Sequence, residues 1–153
     1  MSLRSFVWLQ VAPWSWEIGT MDSIDPNNPV VRLCAEGMQA EGEGRYEDAR
    51  ALFERAWAAC ADDHDACIAA HYLARHQGTE QETLAWNQEA LRRADAVGDD
   101  RVRGFYPSLL LNLGRSHEVL GDMAEARAFY ERAAARLDEL PAGPYGDMVR
   151  NAV

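Results

Sequence analysis

The sequence predicts an all-α fold of three stacked helix pairs closed by a C-terminal capping helix. Three observations predict it. Residues 43–59, EGRYEDARALFERAWAA, recur as residues 120–136, LGDMAEARAFYERAAAR. Gly44, Ala49, Arg50, Ala51, Glu54, Arg55, Ala56 and Ala58 reappear as Gly121, Ala126, Arg127, Ala128, Glu131, Arg132, Ala133 and Ala135, every pair 77 residues apart. Leu33 and Gly37 match Leu110 and Gly114 at the same offset, and a duplicated unit in fixed register signals a repeat architecture. Apolar residues fall at helical spacing, and no strand-like alternation of useful length occurs. Finally, 25 of the 153 residues are alanine, the residue that close helix packing favours, and glycines punctuate the helical stretches.

An offset of 77 residues is too long for one helix pair, so another pair must lie between. Ala90-Leu91 anchors it: Ala56 to Ala90 is 34 residues and Ala90 to Ala133 is 43. Unit one, about residues 29–61, has its first helix from Pro29 to Gly42 and its second from Tyr46 to Ala61. Gly42-Glu43-Gly44 makes the turn, because glycine accepts positive φ without steric cost. Unit two, about 64–97, runs from His64 to Gln77 and from Glu80 to Val97. Gly78-Thr79 breaks it, with Thr79 as N-cap and Glu82 three residues on, a capping-box pattern. Unit three, about 99–140, starts near Asp99 or Asp100 and reaches Leu120; Gly121-Asp122 breaks it, and its second helix continues to Leu140. Pro107 either kinks the first of these helices or marks its true start, with Arg101–Tyr106 as a preceding turn. Residues 144–153, after Gly143, form a capping helix of barely two turns. Gly37 beside Ala49, and Gly114 beside Ala126, are expected to let helix axes approach closely, with Phe53 and Tyr130 filling the space between units.

Residues 1–28 stand apart. Trp8, Trp14 and Trp16 crowd the start, and the composition changes at Met21. Met21 is a true or alternative start behind an appended leader, or else the segment is an ordinary N-terminus whose aromatics pack on the first helix. Gln10 and Pro13 interrupt its apolar run, and no clear cleavage site follows.

Composition excludes several chemistries. All 15 basic residues are arginine, so neither a pyridoxal-phosphate Schiff base nor a P-loop lysine is available. With 25 acidic residues and a net charge of −10, the chain is a poor ligand for nucleic acid or an anionic membrane surface. Three cysteines, Cys34, Cys60 and Cys67, do not read as a disulfide framework and suit reduced thiols in the cytoplasm. No H-E-x-x-H, C-x-x-C, G-x-S-x-G or G-x-G-x-x-G motif occurs, so catalysis is not expected, and no cofactor is implied.

The punctuated helix pairs resemble the tetratricopeptide repeat, in the long-repeat form found in bacterial regulators. Unit three carries Leu110, Leu113-Gly114, Gly121, Ala126, Tyr130 and Ala133; unit one carries Leu33, Gly37, Gly44, Tyr46, Ala49, Phe53 and Ala56. Unit two departs from the pattern: His71 stands at the small-residue position, Thr83 replaces the alanine and Asn87 the aromatic. The terminal proline is missing from units one and two, and Pro141 comes late in unit three. The resemblance implies a right-handed α-solenoid that binds a peptide or protein segment on a concave face lined by the first helices of each pair.

Mapped residue by residue, that face takes Tyr72, Arg75 and His76 from unit two. Unit three gives Ser108, Leu111, Asn112, Arg115 and Glu118, and unit one gives Val31, Cys34, Met38 and Glu41. Arg75, His76 and Arg115 would recognise an acidic segment, since guanidinium groups match carboxylates. Two other readings stand beside this one. Cys60, His64, Cys67 and His71, spaced C-x3-H-x2-C-x3-H, could make the chain a metal-responsive or small-molecule sensor, together with Trp86; the same residues read more simply as core and surface, and Asp62-Asp63-His64-Asp65 as a loop and N-cap. The exposed last unit could instead support a homo-oligomer.

Overall fold

The computed structural model describes residues 25–140 and 142–152, and these are all-helical. Trp8, Trp14, Trp16, Met21, Pro141 and Val153 lie outside the described residues. Seven helices follow one another: α1 (Pro29–Gly42), α2 (Tyr46–Ala58), α3 (Asp63–Leu73), α4 (Glu80–Val97), α5 (Tyr106–Val119), α6 (Met123–Ala134) and α7 (Pro144–Ala152). None is long and apolar enough to cross a membrane.

Local chemistry explains the boundaries. Asn28 caps α1 by accepting from the Val30 amide at 2.8 Å. The Thr79 hydroxyl accepts from the Glu82 amide while the Glu82 carboxylate accepts from the Thr79 amide, so the capping box opens α4 as expected. Gly44 and Gly121, equivalent in the repeat, take φ of +76° and +84°, a region that L side chains rarely enter. Pro107 lies in the first turn of α5, where its missing N–H costs nothing. Residues Asp100–Phe105 precede it as a 3-10 turn, so α5 starts at Tyr106, beside the proline, rather than being kinked by it.

Three helix ends differ from expectation. α2 stops at Ala58, before Ala61, because the chain must become extended at Asp62 to cap α3. α3 tightens into a 3-10 turn at Ala74–His76, and the Gln77 side chain donates back to the Leu73 carbonyl at 2.7 Å. α6 ends at Ala134, short of Leu140: Arg136 leaves helical geometry, lays its guanidinium 3.9 Å over the Tyr106 ring and leads into a 3-10 turn at Leu137–Glu139.

Packing follows chain order. Each of the first six helices packs most extensively within its own hairpin; the hairpins then join through α2 on α3, α4 on α5 and α1 on α3. Inside two of the hairpins an aromatic ring comes closest to the glycine of the facing helix. A Cβ built on Gly37 would fall under 3.0 Å from the Phe53 ring, and one on Gly114 equally close to the Tyr130 ring. Each aromatic of the second helix therefore rests against a glycine of the first and occupies the space a side chain there would need. Phe53 also reaches the next hairpin, stacking on Tyr72 with ring centroids 5.3 Å apart. Apolar residues form two buried clusters, and Trp57, Trp86 and Phe105 touch both. Trp57 and Trp86 meet edge to face at 4.9 Å, and Arg93 covers Trp57 while pairing with Asp63 and Glu89.

Candidate functional site

The last turn of α1 and the 3-10 turn after α3 bring a carboxylate, a guanidinium and an imidazole together. One Glu41 oxygen accepts from Arg75 at 3.1 Å, and the other makes a short contact with His76 Nε2. All three side chains keep only a small part of their surface in water. Arg75 also lies 5.9 Å over the Tyr72 ring, and the His76 ring lies 5.4 Å from Phe53. Arg75 and His76 thus hold an acid of their own chain, and an acidic partner would have to compete with Glu41.

Several side chains expected to face outward are part of the core. Tyr72 is 4% exposed, because its ring is the surface on which Phe53 stacks. Cys34 is 2% exposed, and Ser108, at 9%, donates to the Phe105 carbonyl. Val31 and Met38 are half-buried against the first cluster. Leu111 and Asn112 are half-buried, while Arg115 and Glu118 are exposed on α5. Glu118 accepts from the Tyr130 hydroxyl at 2.6 Å; burial and that bond push the Tyr130 pKa up to about 12.

Unit two replaces the glycine–aromatic contact with polar groups. Asn87 is 5% exposed and donates to Ser116 Oγ at 3.0 Å. His71 Nδ1 lies 3.4 Å from Asn112 Nδ2, which ties α3 to α5. Burial, with Arg75 nearby, pushes the His71 pKa down to about 4, so its imidazole is neutral at pH 7. Both substitutions are visible in the sequence, but the bond to Asn112 is not, because its partner lies 41 residues away in the chain.

The thiols are held protonated. Burial raises Cys34 and Cys67 to about 12 and the half-buried Cys60 to about 11, which disfavours thiolate chemistry. Cys60, His64, Cys67 and His71 do not converge: Cys60 packs on the first apolar cluster and Cys67 is in the second. Among the described residues, the side chains placed to share an ion are Asp62, His64 and Asp65, whose ligand atoms lie within 4.8 Å of one another. Burial, and then Arg101, lower the His64 pKa. Helical spacing points to Cys67 and His71 as partners of His64; the close carboxylates instead come from the cap and first turn of the same helix. Two aspartates flanking the histidine were the available signal, obscured by their ordinary role in capping.

No family model matches the chain, and neither curated proteins nor solved structures contain a match to it.

Proposed function

We propose that the chain is a tetratricopeptide-like solenoid acting as a protein-interaction module, without catalytic activity of its own. Its partner is a peptide or protein segment bound along the face formed by α1, α3 and α5. The observation that carries this reading is the glycine–aromatic contact repeated in α1/α2 and α5/α6, joined with packing of the hairpins in chain order. Stacks of helix pairs present extended surfaces rather than enclosed sites. On that face Leu111, Asn112, Arg115 and Glu118 offer apolar and polar groups of both signs, and α1 and α3 contribute the Glu41–Arg75–His76 cluster. The partner segment is therefore of mixed character, with an acidic group facing Arg115.

A peptide library selected against the full chain tests this. Selected peptides should lose at least about tenfold in affinity to Arg115→Glu, equivalent to about 1.4 kcal/mol, while circular dichroism of the variant is unchanged. Affinity unchanged from the parent in both Arg115→Glu and Asn112→Ala would place the binding surface elsewhere. Self-assembly is a second reading, favoured by Val119 and Met123, 56% and 60% exposed around the α5–α6 turn. Light scattering across protein concentration decides it: an unchanging monomer mass removes self-assembly.

A further inference from the structure

The start of α3 gathers two carboxylates and an imidazole. Asp62 is the N-cap, and His64 and Asp65 lie in the first turn. One oxygen of each carboxylate and one ring nitrogen of His64 fall within 4.8 Å of one another. His64 is 7% exposed and Asp65 5%, whereas Asp62 is exposed, so water reaches the cluster from the Asp62 side. A second observation is independent of that proximity. The Nε2 atom of His64 is sealed from solvent and has no hydrogen-bond partner among the described residues. Buried polar atoms in native proteins are nearly always satisfied, and an exception calls for an explanation, such as an ion.

The neighbouring groups are accounted for and hold the cluster in place. The Asp65 oxygens accept from Asn28 Nδ2 at 2.7 Å and from the Ala61 amide at 3.0 Å. Asp62 Oδ1 accepts from the Asp65 amide at 2.8 Å. A carboxylate has about four lone-pair sites, so both side chains retain capacity to bind an ion. The His64 ring is packed against Phe105, with centroids 6.0 Å apart.

We propose that Asp62, His64 and Asp65 bind a divalent transition-metal ion of the zinc class, with water completing its coordination. A mixed imidazole–carboxylate set suits such an ion, whereas calcium and magnesium prefer oxygen ligands throughout. Zinc–ligand distances are about 2.0–2.2 Å, so the cluster must contract somewhat; the exposed Asp62 carboxylate keeps its cap through Oδ1 and can turn its other oxygen toward the ion. The positive N-terminus of α3 and the nearby Arg101 oppose a cation, while the carboxylate pair and Asp99, which holds Arg101 at 2.9 Å, offset them. Through Asn28, Ala61 and Phe105 the ion would join the start of α1, the α2–α3 connection and the turn before α5. It would therefore stiffen the edge where the three hairpins meet, an effect separate from peptide binding on α5.

The test uses the untagged full chain, stripped with EDTA and titrated calorimetrically with zinc chloride; cobalt chloride adds a visible spectrum as a second readout. One ion per chain is expected, with a raised Tm because the ion binds the folded state. Asp62→Asn retains the cap, since asparagine caps as well as aspartate, but removes a charged ligand. It should lower zinc affinity at least about tenfold, as should His64→Ala, and Asn28→Ala should cost about tenfold by releasing Asp65. A Cys60→Ser/Cys67→Ser variant should bind like the parent. Absence of stoichiometric binding overturns the proposal, as does affinity unchanged in Asp62→Asn; that exposed variant decides the matter if His64→Ala fails to fold.

Discussion

At the residue scale, His71 sets a pH dependence. Its imidazole has an ordinary pKa of 6.5 and a folded value of about 4, so below pH 6.5 the unfolded chain takes up a proton that the folded chain refuses. Stability from this residue is complete above pH 6.5 and is lost as pH falls towards 4; His64, shifted the same way, adds to the loss. One proton corresponds to about 1.4 kcal/mol per pH unit, so between pH 7 and pH 5 a loss on the order of 1–2 kcal/mol is expected from His71. Urea unfolding at the two pH values measures it. His71→Gln should unfold with a smaller difference between them, and an unchanged difference would mean that other groups carry the dependence. The repeat pattern marks His71 as an exception, but the cause of its shift is burial, with Arg75 in the turn after the same helix adding to it.

At the element scale, two copies of one contact differ in surroundings. Phe53 is 0% exposed, held between Gly37 and Tyr72, so its ring has nowhere to retreat when a methyl group is added opposite it. Tyr130 lies on Gly114 in the same way, but its ring is only half-buried and is tethered at the edge by Glu118. Gly37→Ala should therefore cost about 1–3 kcal/mol, the usual range for overpacking, and Gly114→Ala clearly less. Equal costs in urea titration would mean that both rings yield alike. The equivalence of the glycines was legible in the sequence. Their close contact with the Phe53 and Tyr130 rings was not, because the spacing names the face of a helix but not which side chain on it reaches furthest.

At the scale of the whole molecule, the hairpins share their core. Trp57, Trp86 and Phe105 each touch both apolar clusters, so no cluster can open without exposing the others' edges. Unfolding should be a single transition in which tryptophan fluorescence and far-ultraviolet circular dichroism coincide, as for a small domain with one connected core. Separated midpoints would show that unit three, marked by the half-buried Tyr130 and the short capping helix α7, melts first.

The sequence by itself determined the helical class, the number of hairpins, and the positions of α1 and α4 to the residue. These follow from information local in the chain: helical period, a capping Thr79 with Glu82, the first-turn Pro107, and a repeat that places Gly44 and Gly121 in equivalent turns. Only the tertiary structure decided which polar residues are consumed inside the molecule. Tyr72 became core because Phe53 needed a surface to stack on, and Arg75 and His76 were taken by Glu41 across 34 and 35 residues of chain. It likewise separated Cys60 from Cys67 and gathered Asp62, His64 and Asp65. The physical reason is that a helical pattern tells which residues share a face, whereas the partner each side chain meets depends on where the next hairpin comes to rest.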